Sequence, residues 1–465
     1  MESKKGPRHH ETNQERSVGR DPENNNFCTN GMEGEGAGGT SVPQAGTRHN
    51  RFLDVVIVAL NQTCGEEGWY TSTKELQLSS VQLCAACRSV PTFTLKVDRL
   101  TPRRLLGVAN SSSLGREGGS STRVPPLRAR GVKWNLATAG ELRSHALALT
   151  DAERIEFGDR FADSLEGVRW PHRLKALDFS FDSPFDATIA GIAWPETLER
   201  LTFGSWFDRP LEGAAWPAAL KTVTFSMRFN QAIDEVVFPA SLEELFFRGD
   251  FNQPIQNVQW PASLRRLAFE GDFNQPLGRV LWPSSLRQLQ LGNKFDEPLE
   301  GVRWPPSLEE LKFGRCFNRR IDGVVWPSSM RQLSFGEGFN QPVDEVAWPP
   351  SLDALSFGEV YVLLNDTIWM LAYFDQGLGR ARWPASLRAL TIGGKFAQTL
   401  EGLGTWMPRL EVLTLLCDER SAYASLLGRV QWPRCLRRLN VFGDADLSGV
   451  SIPSTVEVAY LEREL

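Results

Sequence analysis

Trp260-Pro261-Ala262-Ser263-Leu264-Arg265-Arg266-Leu267-Ala268-Phe269-Glu270-Gly271-Asp272-Phe273-Asn274-Gln275-Pro276-Leu277-Gly278-Arg279-Val280-Leu281 is one period of this chain. The next Trp-Pro begins at Trp282. The series Trp194, Trp216, Phe238, Trp260, Trp282, Trp304, Trp326 and Trp348 keeps a spacing of 22 throughout. A fixed period of this length signals a solenoid or a propeller and takes precedence over an element-by-element reading.

Within the period, Leu264, Leu267 and Phe269 are apolar, and Leu267/Phe269 alternate with Arg266/Ala268. That alternation predicts a strand with Leu267 and Phe269 inward. The glycine that often follows the aromatic residue (Gly204, Gly292, Gly314, Gly336, Gly358, Gly393) is expected to break the strand and permit a turn. Phe273 plugs inward. Pro276 to Pro283 reads as a shorter return strand that ends at a proline corner. Equivalent strands on successive coils would pair in parallel about 4.7–4.9 Å apart.

The corner tryptophans would stack into an aromatic ladder. The Asn or Asp after the inner Phe (Asp208, Asn230, Asn252, Asn274, Asp296, Asn318, Asn340, Asp375) forms another column, expected to bond backbone groups of the turn. A charged column runs Lys175, Glu199, Lys221, Glu243, Arg265, Arg287, Glu309, Arg331, Asp353, Arg388, Glu411, Arg437. Its mixed signs read as a solvated structural surface with weak pair energies, not as a phosphate-binding stripe.

Working outward, full coils extend from Trp170 to Trp348. A 13-residue insertion at Val360–Ala372 follows, and looser coils open at Trp383, Trp406 and Trp432. Residues 1–51, rich in Gly, Glu, Asn, Arg and Ser, read as a disordered tail. Residues 52–107 form either a small N-terminal module or an imperfect start of the solenoid, with strand alternation at Phe93, Leu95 and Val97. Residues 108–125 read as a flexible linker and 126–465 as the repeat body. Within 126–465, residues 126–169 are a worn cap in which Gly131-Val132-Lys133-Trp134 echoes the second half of the repeat.

Composition narrows the function classes. A net charge of −5 argues against nucleic-acid binding by bulk positive charge. Seven cysteines, an odd number without framework spacing, fit a reducing compartment. No apolar run is long enough to span a bilayer, and the first 20 residues lack the apolar core of a secretory signal. We therefore expect a cytoplasmic protein with no membrane and no nucleic-acid partner.

Cys84-x-x-Cys87 lacks a second ligand pair, so no metal is expected. No P-loop, Ser/His/Asp set or metal-ligand cluster is present, and we expect no cofactor and no catalytic residues. A carbohydrate-active β-solenoid enzyme remains a distant alternative. Its most obvious carboxylates, Glu244 and Glu310, lie three coils or about 14 Å apart by the strand spacing, too far to act as a pair.

The tetrapeptides Phe251-Asn252-Gln253-Pro254, Phe273-Asn274-Gln275-Pro276 and Phe339-Asn340-Gln341-Pro342, with the Pro-x-Ser-Leu-x-x-Leu-x-Phe-Gly half, resemble the FNIP-repeat family, a leucine-rich-repeat relative. The Pro-x-Ser strands are also similar to those of BspA-like leucine-rich repeats. The resemblance implies a mostly β, right-handed solenoid of about twelve 22-residue coils with parallel strands, preceded by the tail and the small module. It implies protein–protein interaction and supplies no catalytic residues. Some members resemble F-box proteins N-terminally, so a substrate-recognition subunit of a ubiquitin ligase is the alternative, although residues 52–105 lack a clear Leu-Pro-x-Glu opening.

Function is expected on the outward columns of the sheet, which vary while the core does not. Candidate partner-binding residues are Arg200, Glu244, Phe246, Arg266, Gln288, Gln290, Glu310 and Lys312, with Trp369 in the insertion. Phe246, read as exposed beside Glu244 and Arg266, is the best anchor, since aromatic residues and Arg dominate binding hot spots.

Overall fold

The computed structural model describes residues 94–97, 131–134, 152–358, 361–362, 368–369, 372–417, 422–442 and 445–461. The chain divides into two units, Met1–Phe52 and Leu53–Leu465. The first unit, with the tail expected at 1–51, lies outside the described residues. So do Cys84, Cys87 and the stretch expected to be a linker.

The second unit is a β-solenoid built on one 16-stranded sheet whose strands neighbour one another in chain order. Every pairing in that sheet is parallel. In the regular coils each residue faces its counterpart 22 positions on, as in Arg266↔Gln288 and Leu267↔Leu289. The sheet has more strands than the about twelve coils counted from the corner aromatics because Thr94–Val97, Gly131–Trp134 and Arg154–Phe157 precede Trp170 and Glu457–Leu461 follows the last of those coils.

Gly131–Trp134 is therefore a main-sheet strand, not a worn return segment. Trp134 pairs with Phe157, the strand aromatic, so it occupies a strand position and not the corner.

Each coil has one strand, not two. The return segment, Pro276–Trp282 for example, turns at Gly278–Arg279 and pairs in no sheet. Two prolines per coil remove the donors a second ladder would need. Two tight turns close the coil instead, Leu264 N–H donating to Pro261 C=O at 3.0 Å and Val280 N–H to Leu277 C=O at 3.1 Å.

Side chains carry the inter-coil bonding on this side. Asn252 Oδ1 accepts from the Asn274 backbone N–H at 2.9 Å, and the same bond recurs from Asp186 through to Asp375. Gln275 Nε2 donates to the C=O and Oδ1 of Asn252. A second file links hydroxyls to leucine carbonyls, Ser263 to Leu242 at 2.6 Å and Ser285 to Leu264 at 2.7 Å.

The core is a double column of phenylalanines. Phe269 and Phe273 stack within one coil at 4.1 Å, and each stacks on its counterpart in the preceding coil, Phe247 at 5.4 Å and Phe251 at 6.3 Å. Both rings are 1% exposed. The tryptophans make a weaker file. Their rings associate in twos, Trp170–Trp194, Trp260–Trp282, Trp304–Trp326 and Trp348–Trp383, at 5.4–6.4 Å.

The glycines after the strand act differently from the expectation. Of those named, Gly358 alone has a positive φ, 115°. A Cβ on Gly314 would lie 2.3 Å from the Gly292 carbonyl oxygen, and one on Gly336 2.1 Å from that of Gly314. These positions are glycine because adjacent coils touch backbone to backbone there.

The insertion holds a short antiparallel hairpin, Tyr361–Val362 against Ile368–Trp369. The helices described after it are single short pieces, Leu403–Trp406 and Ala422–Leu427, in the coils that exceed 22 residues. No helix among the described residues is long and apolar enough to cross a membrane.

Candidate functional site

Strand register assembles most of the sequence-derived candidates. Arg200, Thr222, Glu244, Arg266, Gln288 and Glu310 are successive partners in one column, and Phe246, Ala268, Gln290 and Lys312 in the next. Arg200, Arg266 and Gln288 are exposed, whereas Glu244, Gln290, Glu310 and Lys312 are half-buried. Glu244 accepts from the Thr222 hydroxyl at 3.3 Å. The side chain of Trp369 lies outside the described residues.

The second column is more sheltered than its outward direction suggests. Ala268 is 2% exposed, Thr224 is buried, and Phe246 is half-buried, not exposed. Long side chains of the next coil reach across it. The Arg266 guanidinium sits 5.1 Å from the Phe246 ring centroid, a cation–π contact that covers one face of the ring.

The most exposed aromatic surface on this side was not among the candidates. Phe181, Trp206 and Met227 are 61%, 45% and 42% exposed. They follow the strands Ala176–Phe179, Arg200–Thr202 and Thr222–Phe225, and their backbones interlock. Ser205 N–H donates to Phe181 C=O at 2.9 Å and Arg228 N–H to Ser205 C=O at 3.0 Å. The Arg228 guanidinium lies 3.6 Å from the Trp206 ring centroid. The signal was present in the repeat. Central coils place Glu270, Gly271 and Asp272 here, and three earlier coils substitute Phe, Trp and Met.

Charges along the rest of this edge are internally matched. Arg248 pairs with Glu270 at 3.6 Å, Lys294 with Asp272 at 2.5 Å and Arg315 with Glu337 at 3.1 Å. The hydrogen bond to Asp272 is the main cause that raises the Lys294 pKa. Arg228 makes no ion pair among the described residues and rests on Trp206 with Asp250 one coil beyond. The neighbouring charged column behaves as a solvated structural surface, with Lys221–Glu199 at 3.1 Å and Arg388–Glu411 at 2.9 Å. Among the described residues no cluster of three or more His, Cys, Asp or Glu is placed to hold a metal ion.

One strand per coil, a parallel sheet with a 22-residue register and a Pro-x-Ser-Leu turn define a leucine-rich-repeat-like solenoid. Residues 229–272, 251–294 and 273–316 each match the FNIP Repeat family model, so that stretch of the solenoid is similar to FNIP repeats. Among solved structures, the chain is similar to CroV588, described as a novel circular LRR protein structure. Identity is 26% and the TM-score 0.56, over 72% of this chain and 50% of that one. The chain thus matches half of that protein's length. A Listeria monocytogenes internalin is more distant, 12% identical with a TM-score of 0.41, over 69% of this chain and 88% of that one. No curated protein matches the sequence.

Proposed function

We propose that this protein is a non-catalytic interaction scaffold whose partner protein docks on the sheet face and the edge beside it. The observation that carries this reading is the set of solvent-facing aromatic–arginine pairs, Trp206/Arg228 and Phe246/Arg266, next to exposed Phe181 and Met227. Aromatic residues and arginines concentrate binding energy in interfaces. Phe246 and Arg266 stand on strands, and Trp206 and Arg228 on short turns tied coil to coil by backbone hydrogen bonds, so little ordering entropy is lost on contact. The sheet face is the customary docking surface of solenoids. Cys316 and Cys435 are free and exposed, which suits a reducing compartment.

The test is affinity capture from extract of the source cells with the whole chain as bait. Trp206→Ala combined with Arg266→Ala should lose a specific partner by tenfold or more. Val325→Ser, at a position 83% exposed on the return segment, should retain it. Equal capture by all three baits would remove the face from consideration.

A further inference from the structure

Arg154 pairs with Asp178 at 2.9 Å, and Arg248, Lys294 and Arg315 each pair with a carboxylate one coil away. Three arginines beside the exposed aromatics are not matched in this way. Arg200, Arg228 and Arg266 are exposed and make no ion pair among the described residues. Arg228 and Arg266 instead lie over the Trp206 and Phe246 rings. A stacked guanidinium is held in orientation while its edge N–H donors stay free for a planar acceptor such as a carboxylate.

The nearby carboxylates are engaged or lie to one side. Glu244 is half-buried and accepts from the Thr222 hydroxyl at 3.3 Å. Asp250, one coil past Arg228, acts on the matched part of the edge: the Lys294 pKa is raised chiefly by the Asp272 hydrogen bond and in lesser part by Asp250. Asp182 follows Phe181, in the coil before Arg200.

Spacing narrows the ligand. Arg200, Thr222, Glu244 and Arg266 are successive partners in the ladder. Arg200 and Arg266 are therefore about 14 Å apart at the backbone, three strand spacings. Cations so far apart do not converge on one phosphate group, but they suit two separate carboxylates. An extended peptide advances about 3.3 Å per residue, so its residues i and i+4 span about 13 Å and point to one side. Residue i+2 points to the same side between them and comes over Glu244, where an apolar side chain avoids like-charge repulsion.

We propose that the partner contributes an extended acidic segment, with carboxylates at i and i+4 on Arg266 and Arg200 and an apolar residue at i+2. This rests on the reading of the face as a docking surface and adds the chemistry of what docks there. Arg228 adds positive potential at the edge.

The test selects a displayed library of random short peptides on the whole chain at low salt, then measures the affinities of the enriched sequences. Asp or Glu four residues apart around an apolar residue is expected. Arg266→Gln or Arg200→Gln should weaken these peptides at least tenfold with an unchanged thermal midpoint, since both side chains are exposed. Salt at about 1 M, where the Debye length is about 3 Å, should do the same. Arg266→Glu should regain affinity for a peptide carrying Lys at the matching position. Enriched peptides that are neutral or basic, yet need Trp206, would overturn the acidic segment and leave the docking face standing. Peptides that bind Trp206→Ala and both arginine variants equally would remove the face as well. A selection that enriches nothing would overturn the segment, with capture by the whole chain left to judge the face.

Discussion

Asn252 Oδ1 accepts a hydrogen bond from the backbone N–H of Asn274, its own counterpart one coil later, at 2.9 Å. The residue that gives the repeat its second letter thus closes no turn within its coil. It fastens that coil to the next. The bond needs an acceptor oxygen, which Asp supplies equally at Asp208 and Asp296. Asn252→Asp should shift the thermal midpoint little, and Asn252→Leu should cost about 1–3 kcal/mol by leaving the Asn274 N–H unpaired. Thermal melts of the two variants check this.

Gly314→Ala should be among the most damaging small changes in the chain. The new Cβ meets the Gly292 carbonyl oxygen at 2.3 Å, and a backbone atom cannot swing away. A loss of about 1–3 kcal/mol is expected from overpacking. Gly323→Ala has nothing within 4 Å and no positive φ, and should be neutral or slightly stabilising. Chemical denaturation of the pair distinguishes close approach from turn geometry as the reason for glycine.

Phe273→Ala and Phe246→Ala should separate stability from binding. Phe273 is buried in the double column, and truncation should cost about 3–5 kcal/mol. Phe246 is half-buried under Arg266 and should cost far less. If the face docks a partner, Phe246→Ala still lowers affinity. Equal destabilisation by both changes would place Phe246 in the core.

Arg315→Ala should destabilise more than Arg248→Ala. Both arginines pair with a glutamate one coil on, but the Glu337 side chain is 7% exposed and that of Glu270 36%. Removing Arg315 strands a buried carboxylate, at about 3 kcal/mol. Removing Arg248 exposes a solvated one, at about 1 kcal/mol or less. Denaturant midpoints of the two variants, compared at one salt concentration, test the difference.

Much of the fold was legible in the sequence because a solenoid repeats its reasons. The spacing of the tryptophans is also the strand register, and the inward Phe and Asn columns follow once that register is known. The second strand was misread because alternation alone does not reveal whether a neighbour is within hydrogen-bonding reach. Prolines and the Asn/Gln ladder settled that. Gly131–Trp134 was misread because four residues match either half of a worn repeat, and only pairing with Arg154–Phe157 assigns them.

The sequence by itself determined the coil, its length and the side chains that face inward, since each depends on residues one period apart. Tertiary structure alone decided which apolar and charged groups remain in solvent. Phe246 and Trp206 are both aromatic and outward, and each lies under an arginine from the following coil, yet Phe246 is half-buried and Trp206 exposed. Tyr460 sits at a core position and is half exposed because no further strand among the described residues covers it. Exposure is set by what the adjacent coils carry and how far they reach. That is a property of neighbours in space, not of position within a repeat.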